Sequence, residues 1–295
     1  MFDPTDIKEA VRDRYAGAAA SGGVTGESSC CSPAGPAAGA AASGCGCSGG
    51  PAAAIGASID TARLGYDAAD LAAIPEGADL GLGCGNPLGV LGLREGETVL
   101  DLGSGAGIDC FIAAKRVGPG GRVIGVDMTP EMIARARRNA AAGGYSNVEF
   151  RLGEIEHLPV ADSTVDAIIS NCVINLVPDK RQVFADALRV LKSGGRLSVS
   201  DIVLVGEVPV AIRDSVDAYV ACLTGTILRD EYLGMLAEAG FTDIIVTSEE
   251  GFDLGDILAS DLVEEFKAHT GATESELGAA AKLFQSIRVS AVKPA

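Results

Sequence analysis

Histidine is nearly missing from this chain: there are two in 295 residues, His157 and His269. That scarcity argues against an imidazole base and against zinc sites of the cysteine–histidine kind. Cations are also scarce, with 23 Lys and Arg against 40 Asp and Glu and a formal net charge of −17. A surface of that sign repels phosphate backbones, so nucleic acid is not an expected partner and a small substrate is. No apolar run reaches the length of a bilayer span, so no membrane association is expected. The opening residues, MFDPTDIKEAVRDRY, are charged where a secretion signal needs an apolar stretch. These absences predict a cytoplasmic protein. There, cysteines stay reduced and serve metal binding or redox chemistry more than a disulfide framework.

Cysteine itself is not scarce: there are eight. Four of them (Cys30, Cys31, Cys45 and Cys47) sit in an Ala/Gly/Ser/Pro stretch, SSCCSPAGPAAGAAASGCGCSGG, that has nothing with which to pack a core. The expected organisation is a short N-terminal helix in residues 1–16, with Ile7, Val11 and Tyr15 on one stripe, followed by a flexible linker over 17–58. A nucleotide-type domain is expected over 59–205, and a substrate-site or lid region over 206–295.

From Glu97 onward strands and helices alternate. TVLDLG, RVIGVDM, NVEFRLG, VDAIISN and RLSVSDIVL read as strands. Between them GIDCFIAAKRVG, TPEMIARARRNAAAGG and KRQVFADALRVLKSGG read as helices. This predicts a doubly wound, mostly parallel α/β sheet covered on both faces. Residues 209–224 and 229–240 read as helical. So do segments near 261–269 and 273–285. DIIVTS and SIRVSAV read as two late strands of the same sheet.

VLDLGSGAGID joins the first strand to the first helix of that pattern. Its glycines, Gly103, Gly105 and Gly107 around Ser104, let the backbone turn tightly under a ligand. The amides at the helix start favour negative charge. Asp127 ends the next strand, where an acid can accept from both ribose hydroxyls. The spacing is GxGxG, with Ile108 where a dinucleotide fingerprint has Gly or Ala. Asp101 points an anion into the turn, which suits a ligand carrying a cationic amine or sulfonium. Together with GVDMTPEMIARAR, RLGEIEHLPVADSTVDAIISN and LKSGGRLSVSDIV, the turn resembles the class I S-adenosylmethionine-dependent methyltransferase core. The resemblance implies that Asp127 holds the ribose and Met128 the adenine. It also implies that Glu154 and Ile155 flank the adenine edge and that Gly103 and Asn171 lie near the methionine part. His157 is expected beside the adenine pocket and His269 on the surface.

Cys172 follows the fourth core strand, at the edge where such sheets bind ligands. Cys84, in GLGCGNP, is expected to be exposed by its flanking glycines, and Cys222 lies on a helix after the core. Cys110 reads as a small buried hydrophobe. Separated thiols converging on one cleft suit a thiophilic acceptor. Trivalent arsenic takes three thiolates and keeps a lone pair that can attack a sulfonium methyl. The segments GLGCGNP, ISNCVINLVPDK and VACLTGTI resemble the arsenite S-adenosylmethionine methyltransferases. That resemblance implies Cys84, Cys172 and Cys222 as As(III) ligands and catalytic residues, and a redox role for an N-terminal cysteine. It also implies arsenite or its thiol conjugates as substrate in arsenic detoxification, with a thiol reductant, glutathione or a thioredoxin-like partner, as co-substrate. Two rivals stay open at the sequence level. One is a cysteine-rich metalloid-binding or sensor protein on the same fold. The other is a methyltransferase acting on a carbon, nitrogen or oxygen acceptor.

Overall fold

The computed structural model describes residues 3–21, 61–207, 225–251, 273, 278–280 and 282–295. Seven strands form one sheet: β1 (Thr98–Leu102), β2 (Arg122–Asp127), β3 (Val148–Leu152), β4 (Val165–Asn171), β5 (Leu191–Leu204), β6 (Thr242–Gly251) and β7 (Phe284–Val292). The spatial order is β3-β2-β1-β4-β5-β7-β6. The first five strands are parallel, and β7 enters antiparallel between β5 and β6. The helices are α1 (Pro4–Ser21), α2 (Ala68–Leu71), α3 (Ile108–Val117), α4 (Pro130–Gly143), α5 (Lys180–Val190) and α6 (Arg229–Ala239).

The strands are apolar on both faces because helices cover both. Val99, Val123, Ala167 and Ile169 pack with residues of α3 and α4, such as Phe111, Ile112 and Ile133. Their alternates Leu100, Leu102, Ile124, Val126 and Ile168 pack with Phe184 of α5 and Tyr232 of α6. The period-two alternation thus separates two cores rather than core from solvent. The chain winds outward from β1 in one direction and from β4 in the other. The switch point lies between β1 and β4, and the crevice beyond their carboxyl ends is where such sheets take ligands.

Local chemistry sets the element ends. Pro130 opens α4, and Gly144 closes it with φ 70°. Helix α5 stops at Val190, short of the LKSGG expected to continue it. Leu191 is already extended and pairs with Val165. A register irregularity follows, where Gly194 takes φ 73°. Helix α1 runs on to Ser21 instead of ending at residue 16. Ala18 and Ala19 are buried there against Leu80, Ala106 and Met132, so the alanines expected to begin the linker are packed helix. The rest of that expected linker, with Cys30, Cys31, Cys45 and Cys47, lies outside the described residues, as do the helices expected at 209–224 and 261–269. Of the 273–285 segment, residues 278–280 are helical, and 284–285 already belong to β7. Among the described residues no helix is long and apolar enough to cross a membrane.

Candidate active site

A cavity opens at the β1/β4 switch point. It is bordered by Asp101, Gly103, Ser104, Gly105, Asp109, Asp127, Met128, Ile155, Asn171 and Cys172, with Tyr66, Leu80 and Val173 among the others. Gly103 has φ 68° and Gly105 φ 52°, the left-handed region that favours glycine. A Cβ at Gly103 would come within 2.3 Å of Val173, so the turn also needs the missing side chain for space. Gly107 serves differently. It caps α3 at φ 103° and does not border the cavity; a Cβ there would strike Phe111 and Phe150.

Asp127 ends β2 with its carboxylate fixed. Oδ2 accepts from Gly105 N at 3.0 Å and Oδ1 from Thr129 N at 2.8 Å. Burial raises its pKa, and those two amides offset only part of the rise. Each oxygen keeps a lone-pair site for a ligand hydroxyl. Ser104 Oγ borders the same cavity, buried and with no hydrogen-bond partner among the described residues.

The same cavity holds a buried acidic pair, Asp101 and Asp109. Asp101 Oδ2 accepts from the Cys110 thiol at 3.2 Å. Asp109 accepts from the Tyr66 hydroxyl at 2.7 Å and from Asn171 Nδ2 at 3.3 Å. Burial, then the charge of Asp109, pushes Asp101 well above the ordinary carboxylate range. Burial lifts Asp109 to about 6, against the bonds from Tyr66 and Asn171. A cationic ligand group entering here relieves that repulsion. Helix α1 lies over this pocket. Lys8, Val11 and Tyr15 border it, and Lys8 Nζ pairs with Glu154 at 2.6 Å and Glu156 at 2.8 Å.

The thiols meet beside Asn171. Its Oδ1 accepts from Cys84 N at 3.1 Å and its Nδ2 donates to Gly85 O at 2.8 Å, which ties the GLGCGNP turn to the end of β4. Cys84 is 4% exposed, against the expectation that its glycines expose it. The glycines bury it: a Cβ at Gly83 would lie 2.8 Å from Asn171 Nδ2, and one at Gly85 2.8 Å from Ser200 Cβ. Cys172 is also buried and takes φ 58°, a strained backbone for a side chain other than Gly or Asn. The sulfurs of Cys84 and Cys172 and a carboxylate oxygen of Asp201 all lie within 4.8 Å of one another.

The comparisons agree with this geometry. The family model described as a methyltransferase domain matches residues 93–240. The chain is 48% identical over 285 residues to an arsenite methyltransferase of Halobacterium salinarum, a match spanning 90% of this chain and 68% of that protein. The chain belongs to the arsenite methyltransferase family. A second arsenite methyltransferase, from Aquipseudomonas alcaligenes, is 40% identical over 59% of this chain and 52% of its own length. The crystal structure of an arsenic(III) S-adenosylmethionine methyltransferase from Chlamydomonas reinhardtii superposes with a TM-score of 0.58 at 31% identity, covering 80% of this chain and 73% of that one. The fold is that of class I methyltransferases, and the enzyme class is S-adenosylmethionine-dependent methyl transfer.

Several of the expected site residues lie away from the cavity lining or outside the described residues. Glu154 does not border the cavity and Glu156 does; Lys8 pairs with both carboxylates. His157 is exposed and does not border the cavity. Cys84 does not border the cavity either; its thiol donates to Ser200 O of β5 at 3.6 Å. Cys222 and His269 fall outside the described residues. Four residues were missed: Lys8, Tyr66, Asp109 and Asp201. Asp109 carried a signal, as an acid in the first turn after the glycines, and so did Asp201, as a charge inside an apolar strand. Lys8 and Tyr66 carried none, because they reach the site only through the tertiary fold.

Proposed function

We propose that this chain transfers methyl groups from S-adenosylmethionine to trivalent arsenic held by thiolates, with Cys84, Cys172 and Cys222 as the arsenic ligands. The observation that carries the reading is the meeting of two buried thiols, Cys84 and Cys172, at the edge of a cavity built for a cationic nucleoside. Cys172 borders that cavity directly.

The cavity's chemistry fits the cofactor. Asp127 and the Gly103–Gly105 turn receive the ribose side. Met128 and Ile155 supply apolar surface for the base. Asp101 and Asp109 face the positive charge of the methionine end, and Ser104 Oγ offers an unfilled hydrogen bond. When bound, S-adenosylmethionine supplies an electrophilic methyl on a sulfonium. The protein positions the acceptor. Three thiols exchange for the three hydroxides of arsenite, each thiol proton leaving with a hydroxide as water, which gives a pyramidal three-thiolate centre. The arsenic lone pair is the nucleophile, so no side chain has to remove a proton. Holding that lone pair near the methyl and excluding water are the chain's main contributions.

Methylation formally oxidises As(III) to As(V). A second thiol attacking an arsenic-bound sulfur returns the two electrons: the S–S bond forms, the As–S bond breaks with its pair left on arsenic, and the attacking thiol's proton goes to solvent. We assign this to Cys84 with one of Cys30, Cys31, Cys45 or Cys47, regenerated by glutathione or a thioredoxin-like reductant. Incubation with S-adenosylmethionine, arsenite and a thiol, followed by arsenic speciation, tests the function. Methylated arsenicals and S-adenosylhomocysteine are expected together. Tight arsenite binding with no S-adenosylhomocysteine would identify a metalloid-binding protein instead. Turnover on another acceptor that survives alkylation of every thiol would point to a carbon, nitrogen or oxygen methyltransferase.

A further inference from the structure

The arsenic chemistry uses thiolates and leaves Asp201 unexplained. Asp201 is 0% exposed, at the carboxyl-side half of β5, and its carboxylate is one corner of the triangle with Cys84 and Cys172. We propose that Cys84, Cys172 and Asp201 form a binding site for a thiophilic divalent cation of the zinc and cadmium class, and that the bound cation excludes arsenite. Binding stands on the triangle alone; only the exclusion of arsenite rests on the function proposed above.

Geometry, orientation and charge support it independently. Around a tetrahedral ion, sulfur donors sit about 2.3 Å and oxygen donors about 2.0–2.2 Å from the metal, so neighbouring donors lie roughly 3.5–4 Å apart. The three donor atoms here are all within 4.8 Å of one another, so closure needs only small rotamer adjustments. The ligands are also held from behind, as metal ligands are. Asp201 Oδ1 accepts from Asn175 Nδ2 at 2.8 Å and from Ile202 N at 3.0 Å, and Oδ2 from the Tyr232 hydroxyl at 3.2 Å. Cys172 N donates to Ser200 O at 2.8 Å, and the Ser286 hydroxyl donates to Cys84 O at 2.9 Å.

Two thiolates and a carboxylate carry three negative charges. Lys180, buried and donating to the carbonyls of Asn175 and Val177, acts on Asp201 with one positive charge. A dication makes the group neutral, which a buried site requires. The two thiol protons pass to solvent as the sulfurs ligate. No electron transfer is involved.

The test uses the full chain with Cys30, Cys31, Cys45, Cys47 and Cys222 changed to Ser, leaving the two triangle thiols and the buried Cys110. Cd2+ should bind one to one with a thiolate-to-cadmium absorption band, and 113Cd NMR should give a mixed sulfur–oxygen resonance. Adding Asp201→Asn should weaken Cd2+ binding at least about tenfold, and adding Cys172→Ser should abolish the band. Asn keeps an oxygen for Asn175 and Ile202, and the Tyr232 hydroxyl can turn to accept from the amide. Cofactor binding by that variant reports whether it folds. Unchanged Cd2+ affinity in folded Asp201→Asn, or no band before it is introduced, overturns the proposal. If Asp201→Asn does not fold, the resonance decides, and an all-sulfur or all-oxygen shift overturns it. In the parent chain, chelator-buffered Zn2+ should raise KM for arsenite and leave KM for S-adenosylmethionine unchanged; inhibition not competitive with arsenite would place the inhibitory ion elsewhere and overturn the exclusion. A chain that binds Cd2+ as described but never methylates arsenite would sink the proposed function and leave the cation site standing.

Discussion

Cys84 and Cys172 address the same backbone carbonyl: Ser200 O accepts from the Cys172 amide at 2.8 Å and from the Cys84 thiol at 3.6 Å. One residue of β5 thereby fixes two thiols 88 positions apart in the chain. The first consequence concerns the strained one. Cys172 takes φ 58°. Cys172→Gly should therefore be more stable than Cys172→Ala by about 1–2 kcal/mol, because only Gly adopts that backbone without cost. Both should lose arsenite methylation while binding S-adenosylmethionine as the parent does. Denaturant melts with cofactor titrations measure this. A Cys172 variant that still methylates arsenite would remove this thiol from the site.

The turn carrying Cys84 has no room to grow. A Cβ at Gly85 would meet Ser200 at 2.8 Å. Gly85→Ala should cost on the order of 1–3 kcal/mol of stability as an overpacking change. It should also push Cys84 away from Cys172, so arsenite affinity falls more than cofactor affinity. Equal loss of both would mean the turn is a general prop. Ser200→Gly, which clears the space, should partly restore arsenite binding in the double variant.

Legibility in the sequence followed the range of the interactions. The glycine turn, Asp127 at the end of β2 and the Pro130 and Gly144 ends of α4 were readable, because each is set by neighbours within a few residues. The switch point was readable once the alternation of strands and helices was. Glu154 and Glu156 were not separable, because the two sit two positions apart and only the tertiary fold buries Glu156 while leaving Glu154 more exposed; Lys8 arrives from α1 to pair with both. The depth of Cys84 was misread for a similar reason: flanking glycines look like exposure until Asn171 and Ser200 fill the space beside them. The end of α5 was misread because LKSGG follows a helical pattern, but its first residue, Leu191, is captured by pairing with Val165 of β4.

Asp127 offers a cofactor prediction. Asp127→Ala removes the acceptor expected to hold the ribose and also frees the amides of Gly105 and Thr129. Affinity for S-adenosylmethionine should fall by on the order of 1.5–3 kcal/mol, the worth of a charge-assisted hydrogen bond. Arsenite binding should change little. Calorimetry with each ligand separately decides it, and loss of both together would mean that the strand end has collapsed.

The last prediction turns on the acidic pair. Asp109 titrates at about 6 in the folded chain, against an ordinary 3.8. Below the lower value it is protonated whether the chain is folded or not, and it costs nothing. Between the two values the unfolded chain ionises while the folded chain does not, so rising pH favours unfolding. Above about 6 the full cost is present: a shift of this size corresponds to about 3 kcal/mol. The ligand-free enzyme should therefore lose stability as pH rises from about 4 to about 6, and Asp109→Asn should flatten that slope and raise Tm at neutral pH. The gain should reverse when the cofactor is added, because a positive ligand stabilises the ionised pair and the amide cannot reciprocate. S-adenosylmethionine should then raise the parent's Tm more than the variant's, and more at pH 7.5 than at pH 5. Melts with and without cofactor at both pH values test it. A variant whose neutral-pH Tm equals the parent's would show that Asp109 is not held against its charge, and that the pocket attracts a cation by some other group.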